Sequence, residues 1–364
     1  MSTQSCVTTE TVKEDSIRIS HHDDTDKLAS ESSAQSAAQL SQIPSTKPEA
    51  ADDDFEKEIY QRFIPIPEFE NVQQYRKGGY HPVHLGDMLN GRYEVLHKHG
   101  SGGFSIVWLC WDTLESKWRA VKIMTAKNSS FGREAQIYSR LRAKASTQAL
   151  IEENHLVIPL DEFWIDGPNG RHLCLVLPVL GETLEAWGLG SVPYEQDTQI
   201  QKKNFCRQIA EAVGFLHRAG ICHGDLKPTN VLVRLDKVED MGKDELLDLI
   251  GEPETSELIP LSGEPPAPHR PDYIVKDASL EWKQGLASSS VAIIDFGESF
   301  SAEKPPEEDR GMSCAYAPPE VLLRMTDAHG YGSDIWSLVA TFYDIKADYK
   351  LFDGAHRIEA LESI

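Results

Sequence analysis

Apolar and polar positions divide the chain into a polar beginning and a longer patterned region. Residues 1–54 contain no aromatic residue and are rich in Ser, Thr, Gln, Asp and Glu, so we expect a disordered tail. Further along, apolar runs at 93–95, 106–110 and 119–124 predict successive β-strands. The patterned region is therefore expected to begin with a sheet.

The pattern then changes towards helices. Ile137 and Leu141 share one face of a predicted helix that begins near residue 132, and the apolar run 173–180 suits a buried strand. Beyond it, an apolar stripe over residues 205–216 predicts a long helix. The sequence therefore predicts an α+β fold with a β-rich first lobe and a helical second lobe.

Breaks in this pattern give the expected organisation of the chain. The segments are a tail at 1–54, a lead-in at 55–92, a first lobe at 93–180 and a second lobe at 181–364, with an insertion at about 236–288. The insertion is acidic and rich in Pro and Ser, including Pro-Pro-Ala-Pro at 265–268. We expect it to be a surface segment, much of it mobile.

Charge and cysteine content narrow the function classes. The chain has 364 residues and a formal net charge of -22, which argues against direct nucleic-acid binding and favours a basic protein partner, although acidity alone also confers solubility. Six scattered cysteines without a CxxC pair indicate neither a zinc site nor a disulfide framework. With no apolar signal core or membrane span, we expect no membrane association and a place in the cytoplasm, the nucleus or both.

A glycine-rich turn between two predicted strands is the first candidate site. Its small residues would let backbone N–H groups approach phosphate oxygens. The candidate contacts are Gly100, Ser101, Gly102, Gly103, Phe104 and Ser105. Lys122 ends an apolar stretch on a following strand, and Glu134 on the next helix could pair with its ammonium group. Alone, these features also fit an ordinary hairpin and an edge lysine.

The segment His-Gly-Asp-Leu-Lys-Pro-Thr-Asn at 223–230 carries the stronger signal. Asp225 can orient a hydroxyl and accept its proton, Lys227 can neutralise charge on a transferred group, and Asn230 offers an oxygen to magnesium. Asp295 follows an apolar run and supplies a second hard ligand for Mg²⁺. The spacing predicts phosphoryl transfer from ATP with Mg²⁺ and is hard to reconcile with an ordinary Asp/Asn turn.

Over roughly residues 92–350, the order of these motifs resembles the protein kinase superfamily. Ala-Pro-Pro-Glu at 317–320 and Asp-Ile-Trp-Ser at 334–337 complete the pattern. One branch, the serine/arginine-rich protein kinases, is similar in its lead-in to Tyr-Arg-Lys-Gly-Gly-Tyr-His-Pro-Val at 75–83. This resemblance implies a monomeric serine/threonine kinase of bilobal fold that acts on Arg/Ser-rich, basic protein segments.

The same resemblance implies where adenine would bind. Val107, Ala120 and Leu232 would enclose the ring, and the backbone of Val179 and Leu180 would hydrogen-bond its edge.

Two departures from the kinase pattern keep alternatives open. Gly224 replaces the arginine of the usual His-Arg-Asp motif, and few residues follow Asp334, so we expect a second lobe that lacks its last helices. A catalytically weak or inactive homologue that binds nucleotide or a partner is therefore the second hypothesis. A small-molecule kinase is the third, because His-Gly-Asp also occurs in aminoglycoside phosphotransferases, although Lys227 and residues 317–320 favour a protein substrate.

Overall fold

The computed structural model describes residues 69–129, 132–189, 196–258, 267–278, 285–306, 311–325, 328–352 and 357–364. The expected tail at 1–54 and the first part of the lead-in, to residue 68, lie outside the described residues. Within the described ranges, no helix has both the length and the apolar character that crossing a membrane requires.

The first lobe is built on one six-stranded antiparallel sheet with the strand order β1-β2-β3-β4-β6-β5. Its strands and helices are β1 Met88–Leu89, β2 Tyr93–Gly102, β3 Ser105–Asp112, β4 Lys117–Met124, α1 Gly132–Lys144, α2 Gln148–Glu153, β5 Asp161–Gly167 and β6 Gly170–Leu177. Along β3, Trp108 and Leu109 point to opposite faces and join different apolar clusters. The apolar run of β3 thus reflects burial on both sides.

Residues 178 and 179 form a break between β6 and the next strand, and the second lobe starts after this break. Its elements are β7 Leu180–Thr183, α3 Leu184–Leu189, α4 Gln196–Arg218, β8 Ile221–Cys222, β9 Val231–Leu235, α5 Lys243–Ile250, β10 Thr255–Glu257, β11 Tyr273–Val275, β12 Ala287–Ile293, β13 Phe300–Ser301, α6 Pro319–Leu322, α7 Tyr331–Ala347 and α8 Arg357–Ser363. In α4, Phe205, Ile209, Val213 and Leu216 are buried in the main cluster, as the helical stripe predicts.

The insertion expected at about 236–288 is folded wherever the structure describes it. Helix α5 carries Leu246, which packs with Trp118 of the sheet, while β10 and β11 pair in antiparallel orientation and Val275 of β11 joins the cluster on the other face. Burial of these side chains offsets the entropy of ordering the segment. The described parts therefore contain packed helix and strand, and the mobility expected from the composition stays a prediction.

The lead-in packs against the same lobe. Tyr75 and Tyr80 are buried, and their rings meet edge to face with centroids 5.5 Å apart. At Gly79 a Cβ would lie 1.8 Å from the Gln74 carbonyl oxygen, so only glycine fits there. The Gly79 carbonyl also accepts a hydrogen bond of 3.0 Å from the Ala126 N–H. The lead-in is thus fixed to the sheet and to the segment after β4.

Candidate active site

Lys122 on β4 and Asp295 just after β12 meet between the lobes. The Lys122 Nζ lies 3.7 Å from the Asp295 Oδ2, and the nearby ammonium group lowers the pKa of Asp295 against the opposing effect of burial. The Asp295 carboxylate also accepts a hydrogen bond of 3.4 Å from the Gly297 N–H. The carboxylate is therefore ionised and suited to a divalent cation.

The Asp225 carboxylate is held by three donors. Lys227 Nζ lies 2.6 Å from Oδ2, and Asn230 Nδ2 donates to the same oxygen at 3.1 Å. The other oxygen, Oδ1, accepts from the Ser313 N–H at 3.1 Å. Since the carboxylate is fixed by cationic and amide groups, it is oriented as a proton acceptor for a hydroxyl placed beside it.

A buried carboxylate on α7 supports this loop from behind. Asp334 is 0% exposed and accepts hydrogen bonds from the N–H groups of His223 and Gly224 at 2.7 Å and 3.0 Å. Gly224 has a φ of +80°, and a Cβ there would lie 2.4 Å from the Glu298 carbonyl oxygen. The left-handed backbone and this close approach explain glycine at the position where the usual motif has arginine.

Glu134 lies near Lys122 but is bound elsewhere. The Tyr138 hydroxyl donates a hydrogen bond to its carboxylate, because the two side chains are four residues apart on α1 and share a face. Burial raises the pKa of Glu134, while Lys122 partly opposes that rise. Among the described side chains no ion pair joins Glu134 to Lys122, so the pair predicted from the sequence is not formed in this arrangement.

Tyr138 is a site residue that the sequence reasoning missed. Its ring packs edge to face on Phe296, at 5.9 Å between centroids, and Phe296 in turn contacts the ring of His223. The helical spacing from Glu134 was a usable signal for the hydrogen bond. The packing on Phe296 could not be predicted from the local sequence, because Phe296 lies 158 positions away.

The glycine-rich turn is open on the side of its Cα hydrogens. A Cβ built at Gly100, Gly102 or Gly103 would meet no atom within 4 Å. Gly102 pairs with Ser105, so the turn itself consists of Gly103 and Phe104, whose side chain is 68% exposed. The open backbone fits the phosphates of a nucleotide.

The residues expected around adenine fall into two groups. Val107 pairs with Lys122 across β3 and β4, and Ala120 pairs with Leu177 on β6. The second group contains the apolar side chains around the break at 178–179 and on β9, where Leu177, Leu180 and Leu232 share a cluster. Val179 belongs instead to the cluster beneath the insertion.

The donor set also fits Mg²⁺. Asn230 Nδ2 donates to the Asp225 carbonyl and carboxylate, which leaves the amide oxygen for a cation. Together with the Asp295 carboxylate it forms a set of hard oxygen ligands, the type that Mg²⁺ prefers. The Ile294 N–H donates to the Asn230 carbonyl at 3.0 Å, and Lys227 is among the groups that lower the pKa of Asp295, so the Lys122–Asp295 pair lies beside Asp225 and Asn230. These are the four residues on which the sequence prediction depends.

Comparisons with known proteins agree with this site. Residues 93–248 match the family model described as protein kinase domain. The predicted resemblance is confirmed. A crystal structure of a kinase domain matches with a TM-score of 0.54 and 22% identity, covering 78% of this chain and 72% of that one. The two-lobed fold is therefore the protein kinase fold.

Curated relatives of the kinase-like region fall in the predicted branch. The serine/threonine-protein kinase spk-1 of Caenorhabditis elegans is 38% identical over 174 residues, which are 47% of this chain and 17% of that protein. The human SRSF protein kinase 3 is 36% identical over 168 residues, 46% of this chain and 30% of the relative. The serine/threonine-protein kinase SKY1 of Saccharomyces cerevisiae is 34% identical over 176 residues, which are 47% of this chain and 24% of that protein. The chain thus spans under a third of each relative.

Proposed function

We propose that the chain is an ATP- and Mg²⁺-dependent serine/threonine protein kinase. The observation that carries the proposal is the convergence of a lysine, a hydrogen-bonded aspartate and two magnesium-type ligands beside an open glycine-rich turn. Phosphoryl transfer needs this combination, because most of its catalysis is positioning and charge stabilisation.

The roles of the side chains follow from their contacts. Asp225 takes the proton of the substrate hydroxyl as the hydroxyl oxygen bonds to the γ-phosphorus and the bond to the β-phosphate oxygen breaks, releasing ADP. Lys227, 2.6 Å from Asp225, offsets negative charge on the transferred group. Lys122 would hold the α- and β-phosphates, and Asn230 and Asp295 would hold Mg²⁺, which would shield the phosphate charge.

The proposed substrates are protein Ser residues in Arg/Ser-rich segments. One relative is named as an SRSF protein kinase, and the formal net charge of -22 favours capture of a basic peptide. We place the protein in the cytoplasm or nucleus as a monomer.

The test is phosphate transfer from labelled ATP to an Arg-Ser repeat peptide, compared with an Ala-for-Ser peptide and with an Asp225→Asn protein. Asp225→Asn should lose about 10²- to 10⁴-fold in kcat, because the general base is gone while charge and shape change little. Its thermal melting temperature should remain close to that of the original protein. Equal transfer by the two proteins would refute the assignment of Asp225.

One observation favours a second candidate, a nucleotide-binding module with weak turnover. Glu134 is held by Tyr138, and Lys122 faces Asp295 instead of Glu134. A thermal shift with Mg-ATP but no transfer to any peptide would support this candidate, since binding stabilises the folded state without chemistry. Normal turnover would exclude it.

A further inference from the structure

The glycine-rich turn receives a hydrogen bond from outside the catalytic motifs. The Tyr80 hydroxyl, from the lead-in, donates to the Gly102 carbonyl oxygen at 2.7 Å. Tyr80 is only 3% exposed, so its ring is enclosed in the lobe while its hydroxyl reaches the turn. The contact joins residues 22 positions apart and does not follow from the sheet ladder.

Tyr80 is itself held in place from several sides. Its N–H donates to the Gln74 carbonyl at 2.8 Å, and its carbonyl accepts from Asn169 Nδ2 at 2.6 Å. Its ring meets that of Tyr75 edge to face, with the centroids 5.5 Å apart. A donor with so few degrees of freedom loses little entropy when it forms its hydrogen bond.

The bond acts on the part of the backbone that would contact phosphate. The peptide between Gly102 and Gly103 is planar and trans, so its N–H points opposite to its carbonyl. With the Gly102 carbonyl directed to Tyr80, the Gly103 N–H points away from Tyr80. Two glycines in succession would otherwise let this peptide rotate freely.

We propose that Tyr80 is a positioning residue that presets the glycine-rich turn for the phosphates of ATP. The inference rests on the proposed kinase function for its ligand, but the contact itself lies in the protein alone. A turn that is already oriented binds phosphate without first being ordered. The apparent affinity for ATP is scaled by the fraction of protein in which the turn has this orientation, and the Tyr80 hydrogen bond raises that fraction. Adenosine lacks the phosphates and should not sense the turn.

Tyr80→Phe removes the hydroxyl and keeps the ring, and Tyr75→Phe is its matched control. The control deletes a hydroxyl from the same lead-in that contacts Glu70 instead of the turn. Calorimetry would measure the dissociation constants of Mg-ATP and adenosine for each protein. Tyr80→Phe should weaken Mg-ATP binding about two- to tenfold, the range of one net hydrogen bond, and leave adenosine binding unchanged.

Tyr75→Phe should lose stability without changing the ratio of the two affinities. The inference would be overturned if Tyr80→Phe left the ratio of the two affinities unchanged, either with no loss or with an equal loss for Mg-ATP and adenosine. An equal loss would indicate general damage to the lobe, which affects both ligands.

A second measurement separates this inference from the proposed function. Hydrogen–deuterium exchange of residues 98–106 without nucleotide should be faster in Tyr80→Phe than in Tyr75→Phe. If the unsubstituted protein binds no Mg-ATP, the proposed function fails, and the exchange rates still decide the role of Tyr80. Equal rates in the two variants would show that Tyr80 does not order the turn.

Discussion

The buried Lys98 joins strand β2, the lead-in and the insertion, and its removal tests how the insertion is held. The Lys98 ammonium group is 0% exposed and lies 2.5 Å from Glu70 of the lead-in and 2.9 Å from Asp277 of the insertion. It also donates to the Val275 carbonyl on β11 at 2.7 Å. The perturbation is Lys98→Met, which keeps the length of the side chain and deletes the charge.

The expected cost follows from the burial of the partner. Glu70 has a side chain that is 1% exposed, and among the described residues the donor left to its carboxylate without Lys98 is the Tyr75 hydroxyl. Breaking a buried pair from one side costs about 3–5 kcal/mol, and the remaining hydroxyl places Lys98→Met near 3 kcal/mol. Adding Glu70→Gln should recover part of that loss, because the fully buried carboxylate is then neutral, while the Asp277 side chain is 28% exposed.

The control is Lys243→Met, which breaks another ion pair between the insertion and β2. Lys243 lies 2.6 Å from Glu94, but these side chains are 34% and 26% exposed, so water can replace the partner. We expect a loss of about 0–1 kcal/mol.

Urea unfolding measures all three variants, and hydrogen–deuterium exchange of residues 273–278 reports on the insertion. Lys98→Met should lower the unfolding free energy and speed exchange there. A loss no larger than that of Lys243→Met, or a Lys98→Met/Glu70→Gln protein as unstable as Lys98→Met, would refute the reasoning.

Two further predictions concern backbone strain and pH. Gly224→Ala should lower the free energy of unfolding, measured by heat or urea, by about 2–4 kcal/mol, because φ is +80° and a Cβ would clash with the Glu298 carbonyl. Gly86→Ala is the control, with a φ of +86° but open space around the position, and should cost about 1 kcal/mol. Equal losses in the two variants would contradict the clash. Burial and the neighbouring His172 lower the pKa of His81 from 6.5 to about 4, so below pH 6.5 the unfolded chain binds the proton first and stability falls towards pH 4. His81→Leu should reduce the fall in unfolding free energy measured between pH 7 and pH 5. An unchanged slope would contradict a lowered pKa of His81 in the folded protein.

Much of the fold could be predicted because its signals are local. The helical stripe of α4 and the apolar runs of β3 and β4 are properties of consecutive residues, and the structure places these elements close to the expected positions. The His-Gly-Asp segment likewise predicts a common site because its spacing sets the loop geometry. The four candidate site residues lie on or next to strands that were themselves predictable.

The insertion shows where local reasoning ends. Helix α5 did carry a signal, with apolar residues at 246, 247 and 250 followed by Gly251, but the acidic composition around it dominated the interpretation. Strands β10 and β11 have three residues each, too few to show an alternating apolar pattern. The neighbouring residues do not identify Lys98 as buried, since its partners lie 28 and 179 positions away.

The position of these supports has a physical reason in the sheet. The register between β2 and β3 shifts between Val95 and His97 and again between Lys98 and Gly100, so the ladder is irregular immediately before the glycine-rich turn. At that point the Lys98 carbonyl accepts a hydrogen bond of 2.7 Å from the Ala278 N–H of the insertion. The insertion thus supplies a backbone partner where the sheet ladder is irregular, and the lead-in holds the turn beyond it. We therefore expect Lys98→Met to speed exchange in the turn as well as in the insertion; faster exchange in the insertion alone would show that the two supports act independently.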